Sequence, residues 1–228
     1  MDDSQQFLND LDKKLWNAAD RLRAALDAAV YKHAVLGLIF LKYVSDSFRM
    51  RQEEIEAALR DPGNDDFLDP EDYGGTDSEE YAEALRIELE ERDYYIEKNI
   101  FWVPQFARWK TLQDNAKLAT GALLDPITGI PLSDNEIEVL LTKCRQRVTQ
   151  TFPGIENQAE REKQHRVEFE KHIYRLKSIG RFIDDALEAV ERENPKLKGF
   201  IEKNRYARLE LPQENLGGLI DLIATIPI

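Results

Sequence analysis

The chain has 228 residues and carries 31 lysines and arginines against 44 aspartates and glutamates, a net charge of −13. That length supports a substantial core in one or two domains. Its longest uncharged apolar run, Ala34 to Leu41, is eight residues, far short of the roughly 20 that cross a bilayer; the acidic start MDDSQQFLNDLDKK also lacks the basic and apolar blocks of a secretory signal, so no membrane span is expected and the cytoplasm is the expected location.

Helical periodicity dominates the chain. From Phe7 onward, Leu8, Leu11, Leu15, Ala18, Ala19, Leu22 and Leu26 recur three and four residues apart with no Gly or Pro, which predicts an amphipathic helix. Asp27 then caps a second helix, or bends a continuous one, from about Ala28 to Arg60. Ala34 to Leu41 is apolar around its whole circumference, the pattern of a helix surrounded by protein, so this segment is the expected central rod. RMRQEEIEAALR continues it with one apolar side as far as Asp61-Pro62-Gly63. Residues 61 to 77, rich in Asp, Gly and Pro, predict a loop, and Ser78 opens a helix to about Glu91. IFWVP, Ile100 to Pro104, reads as an extended connector that buries Phe101 and Trp102, and a short helix containing Ala107, Trp109 and Leu112 follows.

Gly121 to Leu132 forms a turn-rich link. Ser133 and Glu136 make the capping box S-x-x-E ahead of Ile137, Leu140, Leu141, Cys144 and Val148 at helical spacing. Phe152-Pro153-Gly154 ends that helix, and another begins near Ile155 and carries Phe169, Ile173 and Leu176, so residues 133 to 178 predict a helical hairpin. After Gly180 a helix runs to Glu193 and stops at Asn194-Pro195; the basic stretch KLKGFIEKNRYAR and a last amphipathic helix, Leu216 to Ile223, complete the chain. No segment alternates strongly enough to build a sheet, and there is no internal repeat. The expected fold is all-α: one domain spanning 1–228, an irregular helical bundle around a buried central helix, with a helical hairpin inserted at about 117–178.

Charge is unevenly placed. Asp61 to Ile100 holds 15 acidic residues against three basic ones, leaving the remainder nearly neutral, with 29 acidic and 28 basic side chains. A uniformly acidic body would repel nucleic acid; a neutral body with one acidic segment does not. Lys196, Lys198, Lys203, Arg205 and Arg208 fall within thirteen residues opposed only by Glu202, with Phe200 and Tyr206 interleaved, a footprint of nucleic-acid binding. The alternative for these cations is a solvated loop that offsets the acidic segment.

No catalytic, cofactor-binding or metal-binding residue is expected. Gly74-Gly75 and Gly217-Gly218 lack the spacing of a phosphate-binding loop. His165, Glu168 and His172 share one predicted helix face, but the two histidines stand about 10 Å apart along it, too far for one ion to bridge. Cys144, the only cysteine, excludes an intramolecular disulfide and lies on an apolar face that disfavours the thiolate. His33, within the central helix, is expected to be a satisfied core or interface histidine. A hydrolase is poorly supported, because no nucleophile stands beside a recognisable base.

Leu15 to Phe48 (LWNAADRLRAALDAAVYKHAVLGLIFLKYVSDSF), IFWVPQFARW, IDDALEAVERENPKLKG, YAR and LGGLIDLI resemble, in order, the N-terminal helical domain of the modification subunit of type I restriction-modification systems. The resemblance implies a parent enzyme that uses S-adenosylmethionine to methylate adenine N6 in DNA, with a specificity subunit, a restriction subunit and its own catalytic domain as partners. It implies that this segment helps enclose DNA; the five cations above, read from the charge pattern, are the expected phosphate contacts. The N-P-P-F-type motif of the family's catalytic domain has no counterpart, Asn194-Pro195 being followed by Lys196. The catalytic domain is therefore expected beyond Ile228, with this segment inactive alone. In the family, the block ending near Ala116 commonly leads almost directly into that beginning near Gly180, so the intervening hairpin is a departure from its pattern. The alternative reading is a stand-alone acidic helical module that binds other proteins and never DNA.

Overall fold

In the computed structural model, which describes Lys13, residues 28–209 and residues 212–226, the long helix α1 (Ala28–Leu59) organises the rest. The helix expected over Phe7 to Leu26 lies, apart from Lys13, outside the described residues. Ala34, Val35, Leu38, Leu41, Val44, Phe48, Ile55 and Leu59 form a buried stripe along α1, three to four residues apart as one helix face requires. Leu36 and Tyr43, each about half exposed, sit seven residues apart on the other side. The rod is thus central to the main core, yet the described residues cover it on one face only.

After α1 the acidic loop makes a 3-10 turn at Pro70–Tyr73 and leads into α2 (Glu79–Leu89), whose N-cap Ser78 accepts the Tyr81 N–H at 3.0 Å. The short α3 (Asp93–Ile96) brings Tyr95 against Phe48, rings stacked 4.2 Å apart, and Trp102 meets both edge-on at 5.3 Å. Burial pushes the Tyr95 phenol up to about 12, and its hydroxyl donates to the Leu89 carbonyl at 2.7 Å. The IFWVP connector is irregular, as its sequence predicts, and buries Trp102 and Val103, with Phe101 only partly covered. Asn194 clamps it: the side chain accepts the Trp102 N–H at 2.9 Å and donates to the Trp102 carbonyl at 2.8 Å. Helix α4 (Trp109–Asn115) is docked on α1 where the Ser45 hydroxyl accepts the Trp109 N–H at 2.7 Å.

The helical hairpin is built on a ribbon. Strand β1 (Leu123–Leu124) leads through turns to α5 (Asp134–Thr151), a tip at Phe152-Pro153-Gly154, and α6 (Gln158–Glu170), and the chain returns through β2 (Tyr174–Arg175). The strands pair antiparallel, Leu123 opposite Arg175 and Leu124 opposite Tyr174. A two-residue strand is too short to display alternation, which is why the sequence gives no sign of it. The Ser133–Glu136 capping box forms as expected. Ile173 and Leu176, expected on the second helix of the hairpin, lie beyond its end. Cys144, Phe169 and Ile173 form a small core of their own, separate from the main one, with Ile137, Leu140 and Leu141 packed on it.

Helix α7 (Ile179–Glu193) starts one residue before Gly180, capped by the Ser178 hydroxyl, and buries Phe182, Ile183, Ala186, Leu187 and Val190. The last helix, α8 (Gln213–Ala224), starts three residues earlier than its apolar pattern and buries Leu216, Leu219, Ile220 and Ile223 against α1, α4 and α7. The architecture is all-α, the only sheet among the described residues being the two-residue ribbon.

Candidate nucleic-acid interface

The basic stretch is laid back along α7. Asn194 ends the helix, Pro195–Leu197 makes a 3-10 turn, and the Gly199 N–H returns to the Glu191 carboxylate at 2.5 Å. Further on, the 3-10 turn Tyr206–Arg208 sits on the first turns of α7. The two oxygens of the Asp184 carboxylate accept the Tyr206 N–H at 3.0 Å and the Ala207 N–H at 2.7 Å. Burial pushes the Asp184 carboxyl above its ordinary range, and these amides hold it partly down. The Tyr206 ring is 1% exposed and its hydroxyl donates to the Ala34 carbonyl of α1. Two glycines make room: a Cβ on Gly180 would stand 2.5 Å from the Tyr206 carbonyl oxygen, and one on Gly37 2.5 Å from its hydroxyl oxygen.

This path stretches the expected cluster into a row. Lys196, donating to Asn99 at 3.3 Å, marks the C-terminal end of α7, whereas Arg205 and Arg208 flank the buried Tyr206 near its N-terminus. A 15-residue helix separates the two ends, a span of about 20 Å. Lys198, Lys203 and Arg208 are exposed and make no ion pair among the described residues. Arg205 is different, for its guanidinium pairs with Glu202 and the side chain is only 18% exposed. That pair, helped by His33 and Arg208, holds the Glu202 carboxyl below its ordinary range.

His33 is exposed and lines a groove of about 410 Å³ with Leu36, Phe40, Phe200, Ile201 and Arg205. Of the two places expected for it, core or interface, the core is excluded, for it stands on α1 beyond the buried stripe. Phe200, at 83% exposure, projects beside it. No local pattern brings His33 to the row, because the link is the Tyr206 hydroxyl, reaching α1 from 172 residues away.

The remaining candidates do not assemble a site. His172 contacts Glu168 at 3.3 Å, Glu168 also pairs with Lys171 and Arg147, and the His165 Nε2 is buried without a hydrogen-bond partner. The three side chains therefore do not converge, and among the described residues no cluster of His, Cys, Asp and Glu is placed to hold a metal ion. Burial raises the Cys144 thiol above its ordinary range. Gly74 and Gly75 follow a 3-10 turn, and Gly217 and Gly218 lie inside α8; neither pair joins a strand to a helix, the setting of a phosphate-cradling loop. No described helix is long and apolar enough to cross a membrane.

Residues 11–174 match the model of the HsdM N-terminal domain, and the basic row lies past that stretch. The type I restriction enzyme MjaIX methylase subunit of Methanocaldococcus jannaschii is 29% identical over 153 residues, which cover 67% of this chain and 24% of that protein. The chain thus matches about a quarter of the relative's length.

Proposed function

Because the chain belongs to the HsdM N-terminal domain family, we propose that it is the helical front part of a type I DNA adenine methyltransferase subunit and that it helps hold duplex DNA for the catalytic part. The observation that carries this reading is the row of exposed cations along α7, with Lys198, Lys203 and Arg208 free of ion pairs among the described residues. Its length of about 20 Å matches some six base steps at 3.4 Å rise per strand. Enzymes that act on a base inside a duplex must extrude it, and a backbone contact of this length steadies the distorted helix. The other partners in this reading are the catalytic domain of the same subunit and the specificity and restriction subunits of a cytoplasmic complex.

S-adenosylmethionine is the methyl donor this reading assigns to the whole enzyme. The described residues do not fit it, since neither glycine pair links a strand to a helix. Methyl transfer is therefore assigned to another part of the parent protein.

Lys198→Gln, Lys203→Gln and Arg208→Gln combined test the reading. Fluorescence anisotropy of a labelled duplex, titrated with the chain between about 50 and 200 mM salt, is expected to show weaker binding. The slope of log affinity against log salt is expected to flatten by about 2 to 3, close to one per lost phosphate contact. Binding and slope equal to the wild type would remove the row from the DNA interface.

A further inference from the structure

The hairpin is polarised in charge. Its distal part, Lys143 to Arg166, carries six cations against Glu156, Glu160 and Glu162, whereas Asp134, Glu136 and Glu138 open its stem without a basic neighbour. In a chain of net charge −13, this is a second concentration of cations, with Lys143 and Arg145 on opposite flanks of α5. Helices α5 and α6 pack chiefly on each other, so the distal part projects from the body. Lys143, Arg145 and Arg166 are exposed and have no ion-pair partner among the described residues. Lys163 lies 3.7 Å from Glu160 and Arg147 3.5 Å from Glu168, while Arg161 donates to the Ile155 carbonyl at the tip. The tip itself is capped by Phe152, 47% exposed.

A projecting arm with free cations behind an aromatic tip has a physical complement. Phosphates of a duplex satisfy the cations and release counterions, and an apolar side chain at the end of such an arm fits against base edges or sugars in a groove. We propose that the distal hairpin is a second DNA contact, gripping the duplex backbone through Lys143, Arg145 and Arg166 at a distance from the α7 row. The inference rests on the DNA-holding reading above and adds an arm to it. Two separated contacts on one duplex act as linked modules, so each raises the effective local concentration of the other.

The test uses the 228-residue chain and a labelled duplex of about 30 base pairs, roughly 100 Å at 3.4 Å per step, long enough to reach both surfaces. Lys143→Gln, Arg145→Gln and Arg166→Gln together are expected to flatten the salt slope by about 2 to 3 while the thermal melt stays unchanged, because none of the three supports the hairpin core. A separate Phe152→Ala variant is expected to weaken binding several-fold with the slope preserved. If the hairpin triple binds as the wild type does while the α7 variant is weakened, the arm is overturned and the DNA-holding reading stands. If the wild-type chain binds no duplex at low salt, both fall. If the hairpin triple instead abolishes self-association at low salt and leaves DNA affinity intact, the arm pairs with the acidic segment of a second copy, and the DNA proposal is overturned.

Discussion

Asp184→Ala is expected to destabilise the protein by about 3 to 5 kcal/mol in urea unfolding, because it strips one buried and one partly buried amide of charge-assisted bonds worth roughly 1.5 to 3 kcal/mol each. The Tyr206 and Ala207 N–H groups meet no other acceptor in that seat, and the carboxylate is 1% exposed. Asp184→Asn separates the hydrogen bonds from the charge. One amide keeps an acceptor, the other faces an NH₂ group, and the expected loss is about 1 to 3 kcal/mol. The two proteins also differ in pH response. Burial raises the carboxyl of the folded state above that of the unfolded chain, so Asp184 binds its proton first in the folded form. Its contribution is full below the unfolded pKa and is lost as pH rises through the folded one. The stability gap between wild type and Asp184→Asn is therefore expected to widen from pH 7 to pH 4. A gap that narrows over that range would show that the buried carboxylate titrates in the opposite sense.

The second large effect lies in the two glycines under Tyr206, which give opposite answers to one question. Gly180→Ala sets a methyl against the Tyr206 backbone, 2.5 Å from the oxygen and 2.9 Å from the carbon. That backbone is pinned by Asp184, so the overpacking has no cheap relief and is expected to cost about 3 kcal/mol. Gly37→Ala meets the hydroxyl oxygen at 2.5 Å, but the ring carbon behind it stands at 3.4 Å. Removing that oxygen clears the space. Gly37→Ala is expected to destabilise the wild type by about 1 to 3 kcal/mol. In a Tyr206→Phe background it is expected to become neutral or stabilising, since Ala exceeds Gly in helix propensity by about 1 kcal/mol. Gly180→Ala should remain destabilising in both backgrounds. Additive behaviour of Gly37→Ala and Tyr206→Phe in the double-mutant cycle would contradict the contact.

The elements legible from sequence are those with local causes. Pro62-Gly63 beyond Leu59, Ser78 ahead of Glu79, the Ser133–Glu136 box and Asn194-Pro195 after Glu193 all mark helix ends where the structure has them. The all-α class follows from these and from the spacing of apolar residues. What could not be read is set by distant partners. The ribbon depends on pairing Leu123 with Arg175, fifty-two residues on. The cations form a row because Asp184 and Gly180 seat a turn some twenty residues later, and Arg205 is withdrawn by Glu202. Composition shows the charges, and only the return path along α7 shows which of them face solvent. Leu36 teaches the converse: an apolar circumference predicts enclosure, yet half of that side chain is exposed.

The stem of the hairpin carries a consequence for how this fold can change. Its two strands sit side by side, so the chain departs and re-enters across one hydrogen-bonded pair, Cα atoms about 5 Å apart. Leu124 and Leu176 seal the main core at that junction, the turn after β1 is fastened to the body where the Ile127 carbonyl accepts the Phe106 N–H at 3.1 Å and the Gly129 carbonyl accepts the Asn115 amide at 2.9 Å, and the two helices beyond rest on a nucleus around Cys144. The helix pair behaves as a cassette: lengthening or swapping α5 and α6 leaves the ribbon and the turn at Gly129 in place on the body.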